Sequence, residues 1–484
     1  MLSRVATRAS RAAALHAPRS APPAAPAAVV APRPRLLSTT PHRLAASSTP
    51  PRAGPRLVEG SDRAKSITVK LPDGTSTSFS YTWLRDHCRE DRSYHPATRQ
   101  RLVDTPKIPA GYRPDAVRSD ERGVYITWPN SSFETSYESF FPWSFLAENA
   151  YNPPVVRQAD LPTANSTKVL WTRDIAHDMP TVTYDDVMST EEGVYEWLKR
   201  IDTYGFSLCS GIPSTPEATE ALIRRIAFIR ETHYGGFWDF TANLEHGDLA
   251  YSEVRLEAHT DTTYFTDPCG LQLFHLLSPS SSHTGGHNLL VDGFRAASIL
   301  KSTNPSAHAL LSTVPVPSHA SGSGSASLPS GVHLRPLVRM PVLIYDEHGE
   351  LVMVRWNGDD RGVVGGEAFE GARMDEWYEA LRAWEGILRS DDAQLWSQME
   401  VGTAVIFDNL RVLHGRSAFT GERRLCGAYV NGDDYRSRLR GLERQFGAHS
   451  GGDSRRAALG QLLRERYGIE RRGEGKGTVW EDYL

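Results

Sequence analysis

The chain has 484 residues, more than one typical domain, with 39% hydrophobic and 23% charged residues and a formal net charge of −4. No stretch approaches the roughly 18 to 20 apolar residues of a membrane-crossing helix, so no membrane partner is expected. Four scattered cysteines (Cys88, Cys209, Cys269 and Cys426) include no CxxC pair, which speaks against a disulfide framework and for reduced thiols.

Taken in chain order, residues 1–58 stand apart. They carry nine Arg, no Lys and no acid in an Ala/Pro/Ser background, the composition of a mitochondrial transit peptide. Arg4, Arg8 and Arg11 fall at helical spacing, and Arg35-Leu36-Leu37-Ser38 is a processing region in keeping with a matrix address. A Pro-rich tail without an address, on a cytoplasmic protein, is the alternative. Without this segment 45 Lys and Arg face 58 acids, a net −13, a poor surface for nucleic acid.

Residues 59–155 read as a small β-rich domain: 66–71 alternates, Pro72-Asp73-Gly74 is a turn, and Phe79, Tyr81 and Trp83 extend the period-2 pattern. Residues 123–128 give a second strand. The main unit, 165–445, opens with helices bearing Val194, Leu198, Ile201 and Tyr204, then Leu222, Ile226 and Ile229. Short strands follow at 271–277, 288–291, 342–345, 351–354, 401–407 and 425–430. One helix interrupts them, with Trp377, Leu381, Trp384 and Leu388 on its buried stripe. Residues 316–331 are Ser/Gly/Pro-rich and read as a flexible loop. Residues 446–484 hold a short helix at 459–467 and a polar tail. The pattern predicts a mainly β protein with helical buttresses: a double-stranded β-helix, or jelly roll, behind the small β-rich domain.

Two stretches carry the chemistry: His259-Thr260-Asp261, and His414 within Asp408-Asn409-Leu410-Arg411-Val412-Leu413-His414-Gly415-Arg416. Two imidazoles and a carboxylate are the set that holds non-haem Fe(II) on one face and leaves the opposite positions open. The i, i+2 spacing of His259 and Asp261 puts both on one side of an extended strand, and His414 must then arrive from a distant strand. Alone, each fragment is weak. With 17 histidines a His-x-Asp triplet arises by chance, and a His beside Gly is commonly a turn residue.

The flanking residues decide. Ala258 through Phe265, Pro268-Cys269-Gly270-Leu271-Gln272-Leu273, Leu290-Val291-Asp292-Gly293-Phe294, and Arg423-Arg424-Leu425-Cys426-Gly427-Ala428-Tyr429 recur in the order of one family. From about residue 65 to 440 the chain resembles the γ-butyrobetaine and trimethyllysine dioxygenases of carnitine synthesis. Tyr81-Thr82-Trp83-Leu84-Arg85-Asp86 agrees, and Arg230-Glu231-Thr232-His233-Tyr234-Gly235 brings it closer to the trimethyllysine branch. The resemblance implies hydroxylation coupled to decarboxylation of 2-oxoglutarate by O₂ at Fe(II), with L-ascorbate dependence.

It also implies site residues. His259, Asp261 and His414 would ligate iron, leaving three positions for the 2-oxo acid and O₂. Arg423 would clamp the far carboxylate of 2-oxoglutarate with its two-pronged donor, although on its own it reads as a solvated loop charge. A quaternary ammonium donates no hydrogen bond, so it needs aromatic faces: Tyr234, Trp238, Tyr251 and Tyr429 match the cage positions. Asp248 would meet an α-ammonium, and Arg355 with Asn357 the neighbouring carboxylate. The structural zinc of γ-butyrobetaine dioxygenases is not expected. Only Cys88 remains of its ligands, with Glu90, Ser93 and Asn130-Ser131-Ser132 at the other positions. Gly358 also replaces an Asn of the substrate loop.

Trimethyllysine is the favoured substrate and γ-butyrobetaine the runner-up, disfavoured by Asp248. A zinc hydrolase on the same ligands would leave Arg423 without a role, and a decayed binding protein would not keep the set intact. The sequence leaves monomer and homodimer open.

Overall fold

The computed structural model describes residues 54–58, 65–163, 165–241, 254–279, 284–322, 330–370, 373–421, 423–450 and 454–469. Among these, two sheets form the core of the larger unit. One runs Phe237–Thr241, Arg423–Val430, Leu271–Pro279, Thr403–Asp408, Phe206–Ser210, Thr181–Thr183, with Ile229–Arg230 also on Arg423–Val430. It is antiparallel except for its last pair. The other runs Leu256–His259, Val412–Arg416, Asn288–Asp292, Leu395–Ser397, all antiparallel.

Alternation along the strands sorts side chains to two faces. Leu271, Leu273, Ala404, Ile406, Ala428 and Val430 pack outward on helices Glu191–Tyr204, Pro216–Arg224 and Gly432–Ser450. Their neighbours Val405 and Phe407, with Phe206, turn inward and meet Leu290, Leu395 and Val412 of the second sheet. The outer face of that sheet is covered by helices Gly293–Thr303, Pro305–Thr313 and Arg373–Leu388, whose Trp377 and Trp384 are fully buried. This is the expected jelly roll with helical buttresses.

Several local expectations are revised. The alternation through Phe79, Tyr81 and Trp83 breaks at Ser80, and Tyr81–Asp86 is a helix. Three aromatics at period 2 are too short a run to separate strand from helix; burying Leu84 and Arg85 against the domain core decides it. The helix expected through Ile229 is Pro216–Arg224, because Ile229 and Arg230 leave to pair with Val430 and Tyr429. Arg56–Val58, counted with the leader, pairs with Ser66–Lys70. Helix Ser454–Tyr467 does not trail away: Leu459, Leu463 and Tyr467 complete the core around Phe79, Trp128 and Phe141. Ala320–Gly322 and Val332–Leu334 pair across the Ser/Gly-rich stretch, whose middle lies outside the described residues. At two of the positions weighed for zinc, Cys88 accepts from the Tyr137 hydroxyl at 3.7 Å and Ser93 from the Arg85 guanidinium at 3.2 Å.

The two sheets are joined at the turn between Thr403–Asp408 and Val412–Arg416, where Arg411 and Asp292 form an ion pair at 2.9 Å with both side chains almost wholly buried. Arg411 also donates to the carbonyls of Val169 at 2.6 Å and Thr203 at 2.9 Å, while Asp292 caps helix Gly293–Thr303. Removing one partner strands a buried charge. Asp292→Ala is therefore expected to lose about 3–5 kcal/mol of stability, measured by urea unfolding of the full chain; a loss below about 1 kcal/mol, the range of an exposed pair, would refute the pair's role.

Candidate active site

Strand pairing brings the two histidines together. His259 lies directly opposite His414 across the antiparallel pair, so both side chains leave on one face, with ring centroids 4.3 Å apart. The close approach requires Gly415, where a Cβ would stand 2.5 Å from the Leu256 carbonyl oxygen.

The i, i+2 reading needs correction. The strand ends at His259, and Asp261 occupies the turn beyond it. The Thr260 N–H is taken by the Trp356 carbonyl at 2.7 Å, and Thr262 follows with φ 58°. That left-handed conformation is unfavourable for a β-branched residue and persists only where neighbours impose it. The Thr262 hydroxyl accepts from the Cys269 N–H at 2.8 Å. Asn409, fully buried, accepts from the Asp261 N–H at 2.7 Å and donates to the carbonyls of Asp261 at 3.0 Å and Cys269 at 2.9 Å. One amide thus satisfies three buried backbone groups and sets the direction of Asp261.

The outcome is a set of three ligand atoms, one each from His259, Asp261 and His414, all within 4.8 Å of one another. The His259 Nδ1–H faces the Glu257 carbonyl at 2.8 Å, which leaves the Nε2 lone pair toward the centre, 3.3 Å from Asp261 Oδ1. Burial opposes charging His259, but the Asp261 carboxylate outweighs it and raises its pKa. His414 is pushed down to about 3, first by burial and then by His259. Against its own burial, the Asp261 carboxyl is held well below the usual range by the two imidazoles and the Tyr429 hydroxyl. Two nitrogen donors and an anionic oxygen, converging and largely dry, fit a divalent Fe(II) ion.

Asp261 Oδ2 accepts from Tyr429 at 2.7 Å and Gln272 at 2.8 Å; burial and the adjacent carboxylate keep the Tyr429 phenol protonated. On the same strand as Tyr429, Arg423 points inward. Its guanidinium lies 4.6 Å from the Phe419 ring centre and that of Arg416 4.7 Å, and it donates to the Gly286 carbonyl at 3.2 Å. Burial and Arg416 lower Arg423 to about 10, and among the described residues it has no carboxylate partner. Arg424 points the other way, exposed and paired with Asp239. The loop charge expected of Arg423 in isolation is instead a buried strand residue.

Trp238 and Tyr429 stand edge to face with centroids 4.9 Å apart, and the Tyr234 and Tyr264 hydroxyls meet at 3.2 Å. Arg355 is buried, with one amino group on the carbonyls of Thr263 and Phe265. Asn357 is engaged in a turn, its amide on Asp360 at 2.9 Å and its oxygen on the Asp359 N–H at 2.9 Å. Asp248 and Tyr251 lie outside the described residues. Sequence reasoning passed over Asn409 and Gln272; the one available signal, for Gln272 alone, was a polar residue within a largely apolar strand.

Facing sheets with a His/Asp/His set and an inward arginine describe a non-haem iron dioxygenase of the 2-oxoglutarate class. Residues 167–429 match the family described as taurine catabolism dioxygenase TauD, TfdA family, and residues 58–147 the gamma-butyrobetaine hydroxylase-like N-terminal family. Trimethyllysine dioxygenase of Neurospora crassa is 41% identical over 401 residues, 76% of this chain and 81% of the relative. The mitochondrial trimethyllysine dioxygenase of Rattus norvegicus is 36% identical over 362 residues, 74% of this chain and 82% of its own. A gamma-butyrobetaine dioxygenase from Pongo abelii is more distant, at 26% over 386 residues, 79% of this chain and 95% of its own. The chain belongs to the trimethyllysine dioxygenases within the TauD/TfdA family, and it uses Fe(II) and 2-oxoglutarate.

Asn409→Ala deletes three hydrogen bonds and leaves buried groups unmet. It is expected to weaken Fe(II) binding about 10- to 100-fold and to cost roughly 1–3 kcal/mol or more of stability, read by anaerobic metal titration and unfolding. Unaltered Fe(II) affinity would show that Asn409 does not set the direction of Asp261.

Proposed function

We propose that this chain hydroxylates C3 of N6,N6,N6-trimethyl-L-lysine, with Fe(II) held by His259, Asp261 and His414 and with Arg423 on the distal carboxylate of 2-oxoglutarate. The observation that carries the reading is the convergence of the three ligand atoms within 4.8 Å. When bound there, Fe(II) supplies the activation of O₂ and the oxidative decarboxylation of 2-oxoglutarate to succinate and CO₂. L-Ascorbate would serve as the reductant that keeps the metal ferrous.

The protein's own groups divide the remaining work. Arg423 and Arg416 place two cations around Phe419, where a dicarboxylate relieves their repulsion and replaces lost water. Trp238 and Tyr429, with Tyr234 and Tyr251, offer ring faces to the trimethylammonium. Arg355 is anchored by one amino group, while its buried Nη1 has no partner among the described residues and is suited to the substrate carboxylate. Asp248 answers the α-ammonium, which γ-butyrobetaine lacks. The Arg-rich, acid-free residues ahead of strand Arg56–Val58 would direct import into the mitochondrial matrix, as the designation of the rat relative supports.

The test is succinate release from 2-oxoglutarate with each amine in turn. Trimethyllysine should stimulate it well above γ-butyrobetaine, Asp261→Ala should abolish it, and Arg423→Lys should raise the 2-oxoglutarate requirement by about tenfold or more, because a point charge replaces a planar fork. Stimulation by γ-butyrobetaine alone would overturn the substrate. For the address, the protein isolated from mitochondria should have lost its Arg-rich start; an intact N-terminus on a cytosolic protein would overturn it.

A further inference from the structure

We propose that Tyr429 and Gln272 are positioning residues that commit Asp261 to bind its metal through a single oxygen, Oδ1. The inference rests on the iron reading above and adds a role for two residues that no ligand set requires.

Gln272 and Tyr429 sit directly opposite each other where Leu271–Pro279 pairs with Arg423–Val430. Their strand neighbours Leu271, Leu273, Ala428 and Val430 belong to the helix-covered face, so by alternation both turn to the interior. Both are nearly sealed from solvent, at 2% and 4% exposure. In that environment each donates to the same acceptor: Gln272 Nε2 at 2.8 Å and the Tyr429 hydroxyl at 2.7 Å, both on Asp261 Oδ2. Neither donor reaches Oδ1, which lies 3.3 Å from His259 Nε2, closer than the 3.7 Å between Oδ2 and His414 Nε2. Two hydrogen bonds take up the lone-pair directions of Oδ2 and leave Oδ1 the better placed oxygen for a cation. Oδ1 is therefore the ligand atom, and the carboxylate cannot rotate to offer both oxygens without breaking two buried bonds. A two-oxygen carboxylate would fill a coordination position that a facial triad must leave open for cosubstrate and O₂.

Tyr429 adds a link that Gln272 does not. Its ring packs edge to face with Trp238 at 4.9 Å while its hydroxyl holds the metal ligand, so one side chain borders both the aromatic cluster and the triad. A role in the aromatic cluster alone would use only the ring. Removing the hydroxyl separates the two.

The experiment compares the full-length wild type with Tyr429→Phe and Gln272→Met, a pair that keeps ring and side-chain volume while deleting each donor. Fe(II) affinity is measured anaerobically by equilibrium dialysis, and KM and kcat with trimethyllysine by succinate release. Each variant is expected to bind Fe(II) about 10- to 100-fold more weakly and to lose kcat. KM of Tyr429→Phe should stay within about twofold because the ring face that meets a cation is retained. If Tyr429→Phe does not fold, Gln272→Met decides alone. Wild-type Fe(II) affinity in the folded variants overturns the proposal, as does a Tyr429→Phe whose KM rises while its metal affinity holds. A wild type that binds no Fe(II) would instead overturn the iron reading, and this inference with it.

Discussion

One turn, residues 408–411, carries the constraint on which the rest depends. It passes the chain from one sheet to the other through the interior, where backbone groups meet no solvent. Arg411 answers on one side, binding Asp292 and the carbonyls of Val169 and Thr203. Asn409 answers on the other, binding Asp261 and Cys269. A buried ion pair is poor evidence of net stability, because desolvation offsets much of its attraction. Its value here is geometric: it holds strand Val412–Arg416, and with it His414, in one place relative to both sheets.

The metal centre follows from that placement. His414 and His259 meet by strand register, whereas Asp261 depends on a left-handed Thr262 that the turn imposes. Strain of this kind is tolerated where surrounding bonds over-determine it, and Asn409 with the Thr262–Cys269 contact does so. The charge arrangement is consistent with the same end. Asp261 stays ionised and His414 neutral across the physiological range, so a divalent cation displaces at most the proton that Asp261 stabilises on His259.

Around this centre three arginines, Arg355, Arg416 and Arg423, are buried and each brought to about 10 with burial as the first cause. Arg423 has no carboxylate partner among the described residues, and a buried cation of that kind is costly. The placement of the three arginines at the turn after Asp261, two residues past His414, and on the strand of Tyr429 makes the interior receptive to carboxylates, the chemistry that a 2-oxo diacid and an amino acid share.

Much of this was legible in the residues. The types and order of His259, Asp261, His414 and Arg423, the short strands, and the Trp377/Leu381/Trp384/Leu388 stripe follow from composition, period and resemblance. Chemical type and alternation are local properties, and a linear chain displays them. The sequence could not say that Asp261 leaves the strand, that Arg423 is inward while Arg424 is outward, that Tyr429 spends its hydroxyl on Asp261, or that helix Ser454–Tyr467 completes a core begun near residue 67. Each of these depends on partners far along the chain, such as Asn409 for Asp261, 148 residues away. The sequence by itself determined which groups are present and their chemistry. Only the tertiary structure decided which of them meet, because the direction of a buried polar side chain is set by the hydrogen-bond partners that folding brings to it.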